Sequence, residues 1–249
     1  MVAAKRPEQI SRRSFIAGTA GATLVMGLGS VLPGCSREQA ASDLVADGVS
    51  KSFAPTVWFV VNGAGDVLVN IAKAEMGQHV GTALARVVAD ELGADWSKVS
   101  IDHVDTDPKW GYMVTGGSWS VFTTFAMLSK AGAAGRTILI EEGAKLLGVA
   151  AGDCKAYDGK VVCGDQSIGF GEIVARADVA RTFTEEEMEA MPIKSAADRR
   201  LIGKPARALD IPEKSKGKAV YGLDTELPGM VYAHPLIPPT RYGSCLLYT

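Results

Sequence analysis

Two short stretches of small and polar residues have the composition of anion-binding turns. Residues 75–78 (EMGQ) and 115–120 (TGGSWS) each stand directly before a helical pattern. The first N–H groups of a helix have no partner within it, so such turns favour an anionic ligand. Gly77 allows close approach of the backbone, and the Gln78 amide can both donate and accept. The chemistry expected is the binding of a cofactor phosphate, although spacing alone leaves an ordinary helix start open.

Each of these turns leads into a predicted helix. Apolar residues at steps of three and four predict the first helix from about His79 to Leu92, with Gly93 as its C-cap. The second is longer and contains a run of small residues at 131–135. Glycine inside a helix costs about 1 kcal/mol relative to alanine, so a close approach is expected there. Either a tight helix crossing or a bulky cofactor would explain it.

The predicted strands make this an α+β fold. Residues 56–61 and 66–72 read as a hairpin around 62–65 (NGAG), and 99–104 as a further strand. The glycine pair of the first turn lacks the third glycine and following helix of a dinucleotide fingerprint, which excludes a Rossmann unit. His103 is interpreted as a strand residue with a satisfied partner. A short helix is predicted at 171–177.

Two cysteines are predicted to form a disulfide. If Asp158 and Gly159 form a two-residue hairpin turn, Cys154 pairs with Cys163. Counting outward from the turn, this pair falls on a site where Cα atoms lie about 4.5 Å apart, which a disulfide can span. Two half-buried free thiols are the alternative.

Composition excludes two classes of function. The net charge is −2 and no basic stripe is present, so no nucleic-acid partner is expected. The four cysteines form no C-x-x-C pair, and the three histidines lie far apart, so no metal ligands are assigned. The acidic run at 185–187 is interpreted as solvated surface and not as an acid/base pair.

The N-terminal segment is predicted to be a twin-arginine export signal. Arg12 and Arg13 precede a weakly apolar run that is short and glycine-diluted for a membrane span, which is the alternative. Residues 32–35 (LPGC) resemble a lipobox, so Cys35 is a candidate for lipidation. The expected location is the periplasm, with or without a lipid anchor.

The predicted domain organisation follows changes in composition along the chain. It comprises the signal at 1–35, a linker at 36–54, a main subdomain at 55–180, a second linker at 181–200, and a truncated domain of short strands at 201–249.

Four blocks together resemble the molybdenum-binding large subunit of the xanthine oxidase and aldehyde oxidase superfamily, of the isoquinoline 1-oxidoreductase β-subunit type. They are the twin-arginine leader; 75–78 with Thr82 and the helix to Leu92; 115–120; and 207–224, with the pattern RxxDxxxKxxGxAxYxxD, followed by 228–230 (PGM). The resemblance implies a molybdopterin-binding subdomain of mixed strands and two long helices, then the start of an α/β hammerhead domain.

The resemblance also implies a cofactor and contact residues. The cofactor is molybdopterin with molybdenum, in the cytosine dinucleotide form. The implied contact residues are Gly77, Gln78, Thr82, Gly117, Ser118 and Ser120. The family motif reads Gly-Gln-Gly, whereas His79 stands in the place of its second glycine.

The implied reaction is the hydroxylation of an N-heteroaromatic or aldehyde carbon with oxygen from water. Electrons would pass to [2Fe-2S] clusters on a small ferredoxin-like subunit, with a cytochrome c as a further acceptor. The family's catalytic glutamate is expected beyond Thr249, so no catalytic residue is assigned and the fragment alone is expected to be inactive. The ending, including Cys245, is interpreted as read-through. A noncatalytic periplasmic lipoprotein and a cofactor-assembly protein that shares the fold are the alternatives.

Overall fold

The computed structural model describes residues 23–26, 52–177, 179 and 181–243. The chain divides into two compact units, Met1–Ile211 and Pro212–Thr249. The main elements of the first unit are two sheets and two long helices, so the α+β class is confirmed. Among the described residues, no helix combines the length and the apolar character needed to cross a membrane.

The main sheet has five strands in the order β2-β1-β3-β4-β5. They are β1 (Thr23–Met26), β2 (Ser52–Val57), β3 (Phe59–Val61), β4 (Val67–Ile71) and β5 (Val99–His103). The hairpin predicted around 62–65 is confirmed, because β3 pairs antiparallel with β4 and Val61 faces Val67. β5 lies parallel to β4. β1 falls within the segment predicted to be an export signal; Arg12, Arg13 and Cys35 lie outside the described residues.

Helix α1 (Val80–Leu92) is confirmed, and its predicted apolar stripe is buried. The helix ends at Gly93, which has φ +78° and donates its N–H to the carbonyls of Ala89 and Asp90. A Cβ at Gly93 would lie only 2.7 Å from the carbonyl oxygen of Ala156. Glycine is therefore required both by the turn and by the strand that packs against it.

Helix α2 (Ser120–Leu147) has 28 residues, and its small segment crosses α1. A Cβ at Gly132 would lie 2.8 Å from both the Val88 carbonyl oxygen and the Glu91 Cβ. Gly132 therefore allows a tight helix crossing. Of the two explanations that the sequence left open, the helix crossing and not a bulky cofactor accounts for this glycine.

The second sheet packs against α2 and contains β6 (Cys154–Tyr157), β7 (Lys160–Cys163) and β8 (Gln166–Gly169). β6 and β7 pair in the register deduced from the turn, and β8 was not predicted. A disulfide joins Cys154 and Cys163, whose Cα atoms lie 4.3 Å apart. The short helix predicted next is confirmed as α3 (Phe170–Arg176).

The later residues differ from expectation. The stretch 181–200 contains the short helix α4 (Glu185–Glu189) and buries Met188 and Met191. The short strands predicted from Leu201 onward are wrong for the described residues 201–243, where the regular elements are α5 (Ile211–Lys214) and a 3-10 turn at Gly222–Asp224. Strands need partner strands to form, and apolar pattern alone does not supply them. The predicted domain boundaries stay a prediction.

Candidate functional site

The first turn is held in shape by its own side chains. Glu75 Oε1 accepts hydrogen bonds from the N–H groups of Gly77, at 2.7 Å, and His79, at 3.1 Å. Gln78 Oε1 accepts from the Met76 N–H at 2.5 Å, and its Nε2 donates to the Ala74 carbonyl at 2.8 Å. A carboxylate therefore already occupies the two amides that were expected to face an anion. Among the residues that the structure describes, Gln78 keeps one amide hydrogen and one oxygen lone pair for a ligand.

His79 has a left-handed backbone, with φ 57° and ψ 36°. Glycine adopts this conformation without strain, which explains why the family motif has glycine at the equivalent position. The His79 Nδ1 lies 3.2 Å from Asp210 Oδ1. Ligand atoms of Glu75, His79 and Asp210 all lie within 4.8 Å of one another. No signal in the sequence points to Asp210 here, since 131 positions separate it from His79.

The second turn is open to solvent. Gly117 and Ser118 are consecutive residues with φ 58° and 60°, and the Trp119 N–H closes the turn on the Gly116 carbonyl at 3.1 Å. Ser120 is the first residue of α2, and its N-cap residue, Trp119, makes no side-chain capping hydrogen bond. A Cβ at Gly116 would meet nothing within 4 Å. The first N–H groups of α2 thus lack a cap from Trp119 and stand beside an exposed turn.

Thr82 has a different environment from the other candidates. It lies in the first turn of α1 and is buried, and its Oγ1 accepts a 2.8 Å hydrogen bond from the Leu209 N–H. This contact connects α1 to residues 201–210. The cofactor contact implied for Thr82 stays a prediction.

The two helices begin at the same end of the molecule. Leu84 of α1 lines a cavity together with Thr124 and Leu128 of α2, and further along α1, Val88 contacts Gly132. Because these contacts move toward the C-terminus of α1 and of α2 together, the two helices run in the same direction. Since the positive end of a helix dipole lies at its N-terminus, both positive ends face the same region.

The segments before the two helices are joined directly. The Ala74 N–H donates to Thr115 Oγ1 at 2.8 Å, which places the chain before the first turn against the chain before the second. His103 Nδ1 lies 3.2 Å from the Lys73 carbonyl oxygen, so the satisfied partner expected for His103 is confirmed. The structure thus brings together the two turns that the sequence singled out separately.

The family model described as "Molybdopterin cofactor-binding domain" matches residues 8–203. The chain belongs to this molybdopterin cofactor-binding domain family. The resemblance to the molybdenum-binding subunit of the xanthine oxidase and aldehyde oxidase superfamily is confirmed.

Three relatives extend the comparison. The molybdopterin-binding chain is 49% identical, over 94% of its length, to a membrane-bound aldehyde dehydrogenase [pyrroloquinoline-quinone] of Gluconacetobacter polyoxogenes. It is 31% identical, over 90%, to the β-subunit of isoquinoline 1-oxidoreductase of Brevundimonas diminuta, and 28% identical, over 77%, to a nicotinate dehydrogenase subunit of Pseudomonas putida. The chain spans only 30%, 33% and 16% of these proteins, respectively.

A solved structure of quinoline 2-oxidoreductase from Pseudomonas putida 86 also matches. It is 21% identical with a TM-score of 0.36, and the match covers 61% of this chain and 18% of that one.

The residues of this molybdopterin-binding domain fit an anionic cofactor at the second turn. That turn offers open space at Gly116, the Ser118 and Ser120 hydroxyls, and the start of α2, which Trp119 leaves uncapped. At the first turn, Glu75 holds two of the amides, so the available contacts come from the Gln78 side chain. The two turns therefore offer different contacts, backbone and hydroxyl donors at one and an amide side chain at the other.

Proposed function

We propose that this chain forms part of the cradle for a molybdopterin cofactor in the large subunit of a molybdenum hydroxylase. The observation that carries the proposal is the direct link between the segments that carry the two glycine turns, at the same end of two helices that run in the same direction, in a chain of this family. The positive end of α2, beside exposed donor groups, suits the phosphates of a pterin dinucleotide, and the Gln78 side chain lies before α1 in the same region.

Each turn has its own role in this proposal. The second turn binds phosphate through the amides at the start of α2 and the hydroxyls of Ser118 and Ser120. The first turn uses Gln78, whose free donor and acceptor suit the polar edge of a ring system. Glu75 keeps the first turn in shape through Gly77 and His79, and does not contact the phosphate.

The complete subunit is proposed to be an oxidoreductase of N-heteroaromatic or aldehyde substrates. When bound, the molybdenum cofactor supplies the redox chemistry, and the protein supplies position and electrostatics. The proposed form is the cytosine dinucleotide, with [2Fe-2S] clusters on a ferredoxin-like partner subunit and a cytochrome c as electron acceptor. Residues from 201 onward are proposed to open the α/β hammerhead domain. Two of the relatives are named as subunits, which supports a multi-subunit assembly.

The test is the molybdenum and pterin content of the parent subunit, purified with its iron–sulfur partner. Wild type should contain both, and Gln78→Ala should lower the occupancy. The loss of a hydrogen bond between neutral groups typically costs about 0.5–1.5 kcal/mol, and the variant also loses the Gln78 contacts to the Met76 N–H and the Ala74 carbonyl that hold the turn, so cofactor should be lost during purification. Gln166→Ala, a matched change on an exposed strand residue, should keep full occupancy.

Three results would contradict the proposal. Equal molybdenum in Gln78→Ala and wild type would remove the role given to Gln78. Wild type with neither molybdenum nor pterin would favour a noncatalytic lipoprotein or a cofactor-assembly protein. A parent subunit that contains a bound quinone and no molybdenum would contradict the proposed identity of the cofactor. This outcome is relevant because one relative is named for pyrroloquinoline quinone.

A further inference from the structure

Lys73 makes a buried connection between the two turn-bearing segments. It follows β4 and precedes the first turn, and only 4% of the residue is exposed. Its Nζ donates hydrogen bonds to the carbonyl oxygens of Tyr112, at 2.8 Å, and Val114, at 3.1 Å. The Nζ also lies 5.1 Å from the centroid of the Tyr112 ring. All of these contacts are to the segment that leads into the second turn.

That segment has little other support from packing. Tyr112 and Val114 have exposed side chains, and Gly111 and Gly116 have no neighbours that would meet a Cβ within 4 Å. Apolar packing holds it mainly at Trp110, which is buried, and at Met113, which is partly buried against the core. The hydrogen bonds that Lys73 donates and Thr115 accepts therefore contribute much of what fixes the backbone of this segment.

A buried ammonium is costly unless it is well compensated. Burial lowers the pKa of Lys73, because desolvation disfavours its charged form. The two carbonyl oxygens and the face of the Tyr112 ring supply compensation. The two hydrogen bonds need the donors of Nζ, which an apolar side chain of the same length lacks.

We propose that Lys73 is a positioning residue that fixes the second cofactor turn relative to the first through the Tyr112 and Val114 carbonyls. The inference rests on the proposed function, which it deepens. Lys73 itself does not contact the cofactor. Its side chain joins residue 73 to 112 and 114, and the next residue, Ala74, joins Thr115. These contacts set the spacing between the Gln78 side chain and the Ser118 and Ser120 hydroxyls.

The variant that tests this is Lys73→Met, which keeps the length of the side chain and removes its donors. Lys73→Arg keeps charge and donors and should restore the link. The matched control is Lys145→Met, an exposed lysine on α2. One readout is chymotrypsin cleavage after Tyr112 in the purified chain, mapped by mass spectrometry. The second readout is the molybdenum content of the parent subunit.

We expect Lys73→Met to speed cleavage after Tyr112 by roughly tenfold or more, because two hydrogen bonds to a charged donor are lost. Its molybdenum content should fall, whereas Lys73→Arg and Lys145→Met should resemble wild type in both readouts. If Lys73→Met does not fold, Lys73→Gln, which shortens the side chain and removes its charge, should shift both readouts in the same direction.

The outcomes separate this inference from the proposed function. If Lys73→Met is cleaved after Tyr112 at the wild-type rate, Lys73 does not hold this segment. If cleavage is faster but the molybdenum content is full, Lys73 holds the segment without positioning the cofactor turn. A wild-type parent without molybdenum overturns the proposed function, and the inference falls with it. Failure of Lys73→Arg to restore molybdenum would also count against a role that depends on charge and donors.

Discussion

Arg136 on α2 donates from Nη1 to both the Oε2 and the backbone carbonyl oxygen of Glu91 on α1, at 2.8 and 2.7 Å. The side chains are 15% and 1% exposed. Arg136 Nη2 also donates to the Pro192 carbonyl at 2.7 Å, and the Lys194 N–H donates to the Glu91 carboxylate. A single buried pair therefore joins both long helices to the chain at 192–194.

Arg136→Met is expected to destabilise the chain strongly. It removes the cation that faces a buried carboxylate, and breaking such a pair typically costs about 3–5 kcal/mol. The loss in free energy of unfolding should fall near the lower end of this range, because the Lys194 N–H still donates to the Glu91 carboxylate. Urea unfolding measures the change. Arg176→Met is the control, since its partner Glu172 is exposed, and should cost no more than about 1 kcal/mol. If both variants lowered the free energy of unfolding equally, the buried Arg136–Glu91 pair would not have the stabilising role given to it.

Asp90 is expected to contribute stability that depends on pH. Burial raises the pKa of its carboxyl, but the N–H groups of Ile202, Arg200 and Leu201 and the Lys194 ammonium outweigh burial, so the pKa is lowered overall. A lowered pKa in the folded state gives stability that is present above the unfolded pKa and lost as pH falls through the folded value.

Asp90→Asn should therefore be less stable than wild type at pH 7, by about 1.5–3 kcal/mol for hydrogen bonds to a charged group. The two stability curves should converge in acid, below about pH 4. Unfolding at a series of pH values measures this. Asp165→Asn, an exposed carboxylate between β7 and β8, should have little effect at pH 7. A constant gap between Asp90→Asn and wild type down to pH 2 would contradict the prediction.

The disulfide between Cys154 and Cys163 should be detectable by thiol alkylation. In exported protein both cysteines should resist alkylation until they are reduced. Their sequence separation is 9, so the closed loop is short. The double serine variant should lose less than the roughly 3 kcal/mol estimated for a fifteen-residue loop. Alkylation of both thiols before reduction would contradict the bond in the native protein.

Export is proposed to depend on Arg12 and Arg13. Changing both to lysine should leave the protein in the cytoplasm, as cell fractionation can show. Lipidation is a separate question, since Cys35→Ser should release the protein from the membrane fraction. A double-lysine variant that still reaches the periplasm would indicate general secretion, and a soluble wild type would exclude the anchor.

The elements with local signals can be predicted from the amino-acid sequence. The spacing of Val80 and Leu84, with Gly93 at the end, predicts α1 because a helix joins residues three and four apart. Asp158 and Gly159 predict the register of their hairpin because a two-residue turn leaves one pairing. The two candidate turns were also identified from the sequence, since each is a small-residue stretch before a helix.

Contacts between residues far apart in the sequence become known from the folded chain. The pairings of Lys73 with Val114, Glu91 with Arg136 and His79 with Asp210 join residues separated by 41, 45 and 131 positions. Helical periodicity indicates an apolar face, but it does not identify which acidic side chains, such as Asp90 and Glu91, are buried. Their burial depends on partners from α2 and from residues 192–202, and those partners are placed only when the whole chain has packed.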